Sequence, residues 1–253
     1  MPSGLSPAAV LAILQPWAAV AEPIHRRLAQ LVDAEPGQEV LWIGCGTGRS
    51  VLWWAQRFQS HVEGVDQDQV AIDAAERAVR EAGLFKIATF QTAQPVDLPH
   101  ESQVFDIVVV QILYLRDADQ VRVIQEAARV ARPMGVIVGV VPTWLRTPTD
   151  SEVRFVQSLG IAPQLLVEWK RFFREASIVE LSVEDAAADA GWLAASWVGL
   201  LVRGWRAARW AGLRFVLSKP LRVLRRLALH RSLGLSVIRG TRWPHSNEAA
   251  GNG

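Results

Sequence analysis

The sequence lacks the features of disulfide-bonded, secreted and membrane-spanning proteins. Its 253 residues include one cysteine, Cys45, so no disulfide can form within the chain. The first residues are apolar but have no basic region ahead of them, which predicts no signal peptide. The apolar run from Trp192 to Val202 is shorter than the ~20 residues that a membrane-spanning helix needs. We therefore expect a soluble, cytoplasmic chain.

Metal-binding patterns are also missing. There are five histidines, no cysteine pair and no H-x-x-x-H spacing, so the sequence predicts no metal site. No nucleophilic triad is recognisable either.

Acidic residues are absent from 201–231, although this stretch carries nine of the 27 lysines and arginines. The rest of the chain then has 18 basic and 25 acidic residues, a net charge of −7. The stretch divides at Pro220 into two amphipathic basic helices, which are typical of proteins that bind an anionic membrane surface. A second interpretation is left equally open, namely that the two helices form a lid whose apolar faces pack on the sheet. No RNA-binding module is recognisable, so we do not expect nucleic acid as a partner.

Strand and helix patterns alternate after a pair of short N-terminal helices within 5–33. We expect strands at 39–43, 61–66, 86–91, 105–110, 136–141, 179–183 and 233–239, and helices at 49–58, 67–82, 118–132 and 163–176. Apolar spacing predicts one buried face in each of two helices. In the N-terminal helix it consists of Ile24, Leu28 and Leu31, and in the helix at 67–82 of Val70, Ala74 and Ala78. The alternation predicts an α/β fold with a mostly parallel sheet that has helices on both faces.

The first strand ends in VLWIGCGTGRS, residues 40–50, with glycines at 44, 46 and 48. Glycine permits positive φ and lets a ligand approach the backbone, and the helix that follows offers unpaired N–H groups. Neither common phosphate motif fits, because Arg49 takes the last position of G-x-G-x-x-G and no lysine follows Gly48. The turn predicts a ligand site of another kind, with a bare tight turn as the alternative.

VLWIGCGTGRS resembles motif I, VLDxGCGxG, of the class I S-adenosylmethionine-dependent methyltransferases. Within that family, the sequence looks like the methyltransferase type 11 members. QPVDLPHESQVFDIVVV, IQEAARVARPMGVIVGV and EWKRFFREASIVELSVED resemble later segments of the family in the same order. The resemblance implies a Rossmann-like, doubly wound, mostly parallel seven-stranded sheet with a helical insertion before the last strand. It also implies an enzyme that transfers a methyl group to a small-molecule or lipid-like acceptor by in-line displacement, on O, N or C.

The resemblance further implies which residues bind S-adenosylmethionine. Asp66, 22 residues after Gly44, would hold the ribose, Gln94 the adenine edge, and Gln111 would face the reacting centre. The other cofactor candidates are Gly44, Cys45, Gly46, Gly48 and Gln67. Trp42 stands where the family usually has an acid, which leaves a second interpretation open: a non-catalytic protein of this fold that binds cofactor, membrane or a partner.

Two residues are catalytic candidates. Tyr114, the only tyrosine, follows strand 4, where family members often carry a histidine facing the substrate; its alternative is packing at the strand end. His100 follows "DLP" and lies either at the mouth of the site or in a surface loop. His25 falls on the polar side of an N-terminal helix, and we expect it at the surface.

The predicted organisation has five parts. They are an N-terminal helical lid at 1–35, a cofactor-binding core at 36–185, the basic amphipathic insertion at 186–231, the last core strand at 232–243 and a disordered tail at 244–253.

Overall fold

The computed structural model describes residues 21–111, 117–158, 161–185 and 232–244. Within these ranges the helices are α1 Ala21–Leu31, α2 Arg49–Phe58, α3 Gln69–Glu81, α4 Asp117–Val130, α5 Asp150–Gln157 and α6 Leu166–Glu175. The strands are β1 Glu39–Ile43, β2 His61–Asp66, β3 Ala88–Thr92, β4 Phe105–Gln111, β5 Ala131–Trp144, β6 Gln164–Leu165, β7 Ile178–Asp185 and β8 Leu233–Arg242. Of these helices, none has the length and apolar character to cross a bilayer.

Seven strands form one sheet in the order β3-β2-β1-β4-β5-β8-β7, and the short β6 pairs with the end of β5. The first five strands in this order, from β3 across the sheet to β5, are all parallel. The strand β8 runs antiparallel to both of its neighbours, β5 and β7. The carboxyl ends of the parallel strands therefore meet at one edge, the carboxyl edge. The strand order reverses between β1 and β4, which is where ligands bind in such sheets. The predicted fold class is confirmed, while the segment 186–231 lies outside the described residues.

Helices cover both faces of the sheet. Residues of α1, α2 and α3 share one buried cluster with Val40 and Trp42 of β1. Residues of α4 and α6 share another with Leu41 and Ile43 of the same strand. Because both faces are covered, β1 and β4 read in the sequence as unbroken apolar runs rather than as alternating ones.

Several element boundaries differ from the prediction, and β5 and α6 show why. The strand β5 begins at Ala131 and runs 14 residues to Trp144, beyond both ends of the predicted 136–141. Its first part pairs through a register shift, and its last part passes Pro142 while pairing with β8. The predicted helix at 163–176 begins only at Leu166, because the two residues before it form β6.

The buried face of α3 also differs from the prediction, whereas Leu28 and Leu31 of α1 pack in the core as predicted. In α3 the exposed fraction of Val70 is 74%. Among the side chains of these two helices that the structure describes, the buried ones are His25, Leu28, Ala29, Ile72, Ala75 and Val79. Apolar residues spaced by three or four positions can define either of two neighbouring faces of a helix. Which of these faces is buried is decided by how the helix packs on the sheet.

Candidate cofactor site

The glycine turn, residues 44–48, connects β1 to α2 at the carboxyl edge. Gly44, Gly46 and Gly48 have φ of 78°, 53° and 76°, a region that side chains disfavour. A Cβ on Gly48 would lie 2.5 Å from Phe90 Cζ and 2.8 Å from Ala75 Cβ, whereas a Cβ on Gly46 would meet nothing within 4 Å. The turn is therefore packed against the protein at Gly48 and open at Gly46, as a backbone that approaches a ligand must be.

Asp66, at the end of β2, holds the glycine turn from the neighbouring strand. Its Oδ2 accepts a hydrogen bond from the Gly46 N–H at 2.8 Å, and its Oδ1 accepts one from the Asp68 N–H at 3.0 Å. The N–H groups of Gly44 and Cys45 both donate to the carbonyl oxygen just before Asp66, at 2.8 and 3.1 Å. The end of β2 thus fixes the backbone of the turn at three points.

The other cofactor candidates lie at the same edge. Burial raises the pKa of the Cys45 thiol, which keeps it neutral. Gln67 and Gln94 are exposed just beyond the ends of β2 and β3. Gln111 ends β4, and its carbonyl oxygen would lie 2.5 Å from a Cβ on Gly44. The turn therefore touches the end of β4, where the strand order reverses.

Of the two catalytic candidates, the structure describes only His100. Tyr114 lies outside the described residues. The ring of His100 lies 5.3 Å from that of Phe105, and His100 Nε2 is 2.9 Å from Glu63 Oε1, an ion-pair distance without hydrogen-bond alignment. Phe105 is the first residue of β4 and lies six residues, ~20 Å, before Gln111. The chain returns to the opposite edge of the sheet before β4 begins, so His100 does not reach the mouth of the site, and that prediction is corrected.

Trp42 lies beneath the glycine turn and not in it. Its exposed fraction is 1%, and its ring centroid is 5.9 Å from that of Trp54 and 6.0 Å from that of His25. Position 42 faces the layer of α1 and α2. The tryptophan that replaces the usual acid of the family therefore fills the core and leaves the open side of the turn free.

His25 is buried, contrary to the prediction that it lies at the surface. Its exposed fraction is 5%, and its Nε2 is hydrogen-bonded to Ser50 Oγ at 2.7 Å. Burial, with a smaller contribution from the charge of Arg49, lowers the pKa of His25 to about 4, so the ring is neutral at pH 7. The sequence did carry a signal, because His25, Leu28 and Val32 are spaced as one helical face.

Comparisons with known proteins find methyltransferases. Residues 40–135 match the family model described as a methyltransferase domain. Methyltransferase GfsG of Streptomyces halstedii is 31% identical over 124 residues, which cover 48% of this chain and 44% of that protein. The 27-O-demethylrifamycin SV methyltransferase of Amycolatopsis mediterranei is 30% identical over 166 residues, 64% of this chain and 61% of that protein. In residues 40–135 the chain is thus similar to the class I S-adenosylmethionine-dependent methyltransferases.

The predicted family and its cofactor, S-adenosylmethionine, are thus confirmed. Among solved structures, a geranyl diphosphate methyltransferase in complex with SAM superposes on this methyltransferase fold with a TM-score of 0.72. That match covers 96% of this chain and 92% of the other at 18% identity, and it shows the fold alone. The chain spans about half the length of the two curated relatives, which leaves the activity of the whole protein to be inferred.

Proposed function

We propose that this protein transfers the methyl group of S-adenosylmethionine to a small organic or lipid-like acceptor. The observation that carries the proposal is the glycine turn, open at Gly46 and held by Asp66 beside the end of β4. When bound, the cofactor supplies a sulfonium methyl group that is already activated. The residues of the turn would admit its methionine part, since a side chain at Gly46 would occupy the same space.

Asp66 suits the ribose hydroxyls by its remaining hydrogen-bonding capacity. A carboxylate has about four lone-pair sites, and the backbone N–H groups of Gly46 and Asp68 occupy two of them. Two sites remain for two ribose hydroxyls. Gln94 and Gln67 are exposed beside Asp66, and either amide can pair with the adenine edge, because it has both donor and acceptor atoms.

The reaction requires mainly that the protein align the acceptor atom with the methyl group of the cofactor. The acceptor atom must lie in line with the methyl group at ~3–3.5 Å, and Gln111 at the end of β4 would face that position. A general base is needed only when the acceptor is a hydroxyl of high pKa. Tyr114 follows Gln111 by three residues and remains our candidate for the acceptor side.

The end of β5 supports an acceptor with an apolar part. Gln111 pairs with Val140, and β5 then continues to Trp144, past the end of β4. Trp144 packs in a cluster of buried apolar residues from α5, the segment after it and β8. The next residue, Leu145, is 41% exposed. Mostly apolar side chains therefore continue along β5 for four residues, ~13 Å, beyond the level of Gln111, and an apolar acceptor could contact them.

Transfer of a tritiated methyl group from S-adenosylmethionine tests this function. The probes are 27-O-demethylrifamycin SV, geranyl diphosphate and phosphatidylethanolamine in micelles. For an accepted probe, Leu145→Asp should lower kcat/KM about tenfold or more, because burying a leucine against a ligand is worth about 1.5–3 kcal/mol. Phe85→Asp is the matched control, since Phe85 is exposed ahead of β3, at the opposite edge. Binding of the cofactor without transfer to any acceptor would favour the non-catalytic alternative.

We also propose an anionic membrane surface as a partner of 201–231. The nine basic and no acidic residues of this stretch support it, since each basic residue near such a surface contributes about 1 kcal/mol. The protein should float with vesicles that contain phosphatidylserine and not with pure phosphatidylcholine, and high salt should abolish flotation. Absence of flotation with both would favour the lid interpretation.

A further inference from the structure

The two segments that flank the glycine turn are in contact with the same side chain. Trp42 lies two residues before Gly44, and Ser50 lies two residues after Gly48. His25 of α1 touches both: its ring is edge-on to Trp42, and its Nε2 is bound to Ser50 Oγ at 2.7 Å. One buried imidazole therefore connects the end of β1 to the start of α2.

The start of α2 is not capped by a side chain of its own. Its N-cap, Gly48, forms no side-chain cap, and its first turn has no acidic residue. A serine near a helix N-terminus often bonds to the nearby backbone, but the Ser50 hydroxyl is directed to His25 instead. The start of α2, and with it the Gly48 end of the glycine turn, thus has its side-chain anchor on α1, while the end of β2 holds residues 44–46.

The surroundings of His25 favour a neutral ring. Trp53 lies 5.3 Å away on α2, and Arg49 is the charged group of that helix that acts on it. Arg26 and Arg27 follow on α1, where Arg27 is paired with Glu184 of β7. A second positive charge would enter an apolar, aromatic site beside Arg49.

We propose that His25 is a positioning residue for the cofactor: through Ser50 and Trp42 it fixes the glycine turn in the conformation that binds S-adenosylmethionine. The inference rests on the proposed function. It assigns to α1 a part in cofactor binding, although α1 does not contribute to the open side of the turn.

The test removes the hydroxyl and keeps the imidazole. Ser50→Ala should raise the Kd for S-adenosylhomocysteine about five- to tenfold, as expected for one buried hydrogen bond. It should also speed amide hydrogen exchange across residues 46–52 in the protein without cofactor. Ser60→Ala is the matched control: Ser60 Oγ also forms one part-buried hydrogen bond, which it donates to Glu35 O at 3.1 Å, but it lies past the other end of α2. That variant should leave both readouts unchanged.

A second pair of variants tests the imidazole itself. His25→Gln keeps a donor and acceptor for Ser50, so it should bind S-adenosylhomocysteine within about threefold of wild type, and His25→Ala should not. Wild-type Kd in folded Ser50→Ala overturns the inference, even if exchange is faster. Unchanged exchange overturns it as well. If the wild type fails to bind the cofactor product, the proposed function fails, and the exchange data still decide whether His25 fixes the turn.

Discussion

Replacing Gly48 by alanine should destabilise the protein, because the packed side of the glycine turn has no space for a methyl group. The new Cβ would lie 2.5 Å from Phe90 Cζ and 2.8 Å from Ala75 Cβ, well inside contact distance. Overpacking of this kind costs about 1–3 kcal/mol, and the left-handed backbone adds about 1–2 kcal/mol for a residue with a side chain. We therefore expect Gly48→Ala to lower the free energy of unfolding by about 2–5 kcal/mol.

Two other glycines separate these contributions. Gly37, in the turn between α1 and β1, has φ of 81° and open space around a Cβ, so Gly37→Ala should show the backbone cost alone. Gly46→Ala has the same open space and should cost a similar amount in stability. Its methyl group, however, would enter the cofactor site, and the Kd for S-adenosylhomocysteine should rise at least tenfold, while Gly37→Ala binds like wild type.

Urea unfolding followed by tryptophan fluorescence gives the stabilities, and calorimetric titration gives the Kd. Equal stability of the Gly48 and Gly37 variants would refute the close packing of Phe90 and Ala75 under the turn. Normal affinity in Gly46→Ala would refute the position assigned to the cofactor. The two outcomes are independent, since one concerns the packed side of the turn and the other its open side.

Two further predictions concern titration and capping. The pKa of His25 is about 4 in the folded protein and 6.5 as its ordinary value, so the unfolded state takes up the proton first. Stability should fall by about 3 kcal/mol as the pH falls from about 6.5 to about 4; urea unfolding at each pH should show this slope in wild type, and an equal slope in His25→Gln would contradict it. Hydrogen bonds from Arg146 and Thr149 lower the pKa of Glu152 to about 2 within the capping box of α5. Thr149→Ala should cost about 1 kcal/mol, seen as a lower Tm, and a weaker affinity for the cofactor product would contradict the purely local role.

The glycine turn and Asp66 could be placed from the sequence because their geometry is local. Three glycines between a strand and a helix admit few conformations, and an acid that ends the next parallel strand must lie at the same edge. The sequence therefore located the carboxyl ends of β1 and β2 correctly relative to each other.

The positions of His25 and His100 depend on packing between distant segments. A histidine scores as polar on a helix, and the burial of His25 depends on the tryptophans of β1 and α2 around it and on its hydrogen bond with Ser50. His100 lies in a connection whose path is set by contacts with Phe105 and Glu63. The length of β5 likewise depends on its pairing with β8, which lies about 90 residues later in the chain.

Trp42 could be recognised as unusual from the sequence but not explained by it. The family pattern shows that an acid is missing, and only the contacts with His25 and Trp54 show that position 42 faces the core. The loss of the acid therefore does not by itself argue against a working cofactor site.

Calorimetric titration of the purified protein with S-adenosylmethionine and S-adenosylhomocysteine tests the central claim most directly, with Asp66→Ala measured alongside. We predict micromolar binding of both, about −8 kcal/mol, and a Kd at least tenfold higher in Asp66→Ala. Failure of the folded wild-type protein to bind either compound, or equal binding by Asp66→Ala, would contradict the cofactor site at the glycine turn.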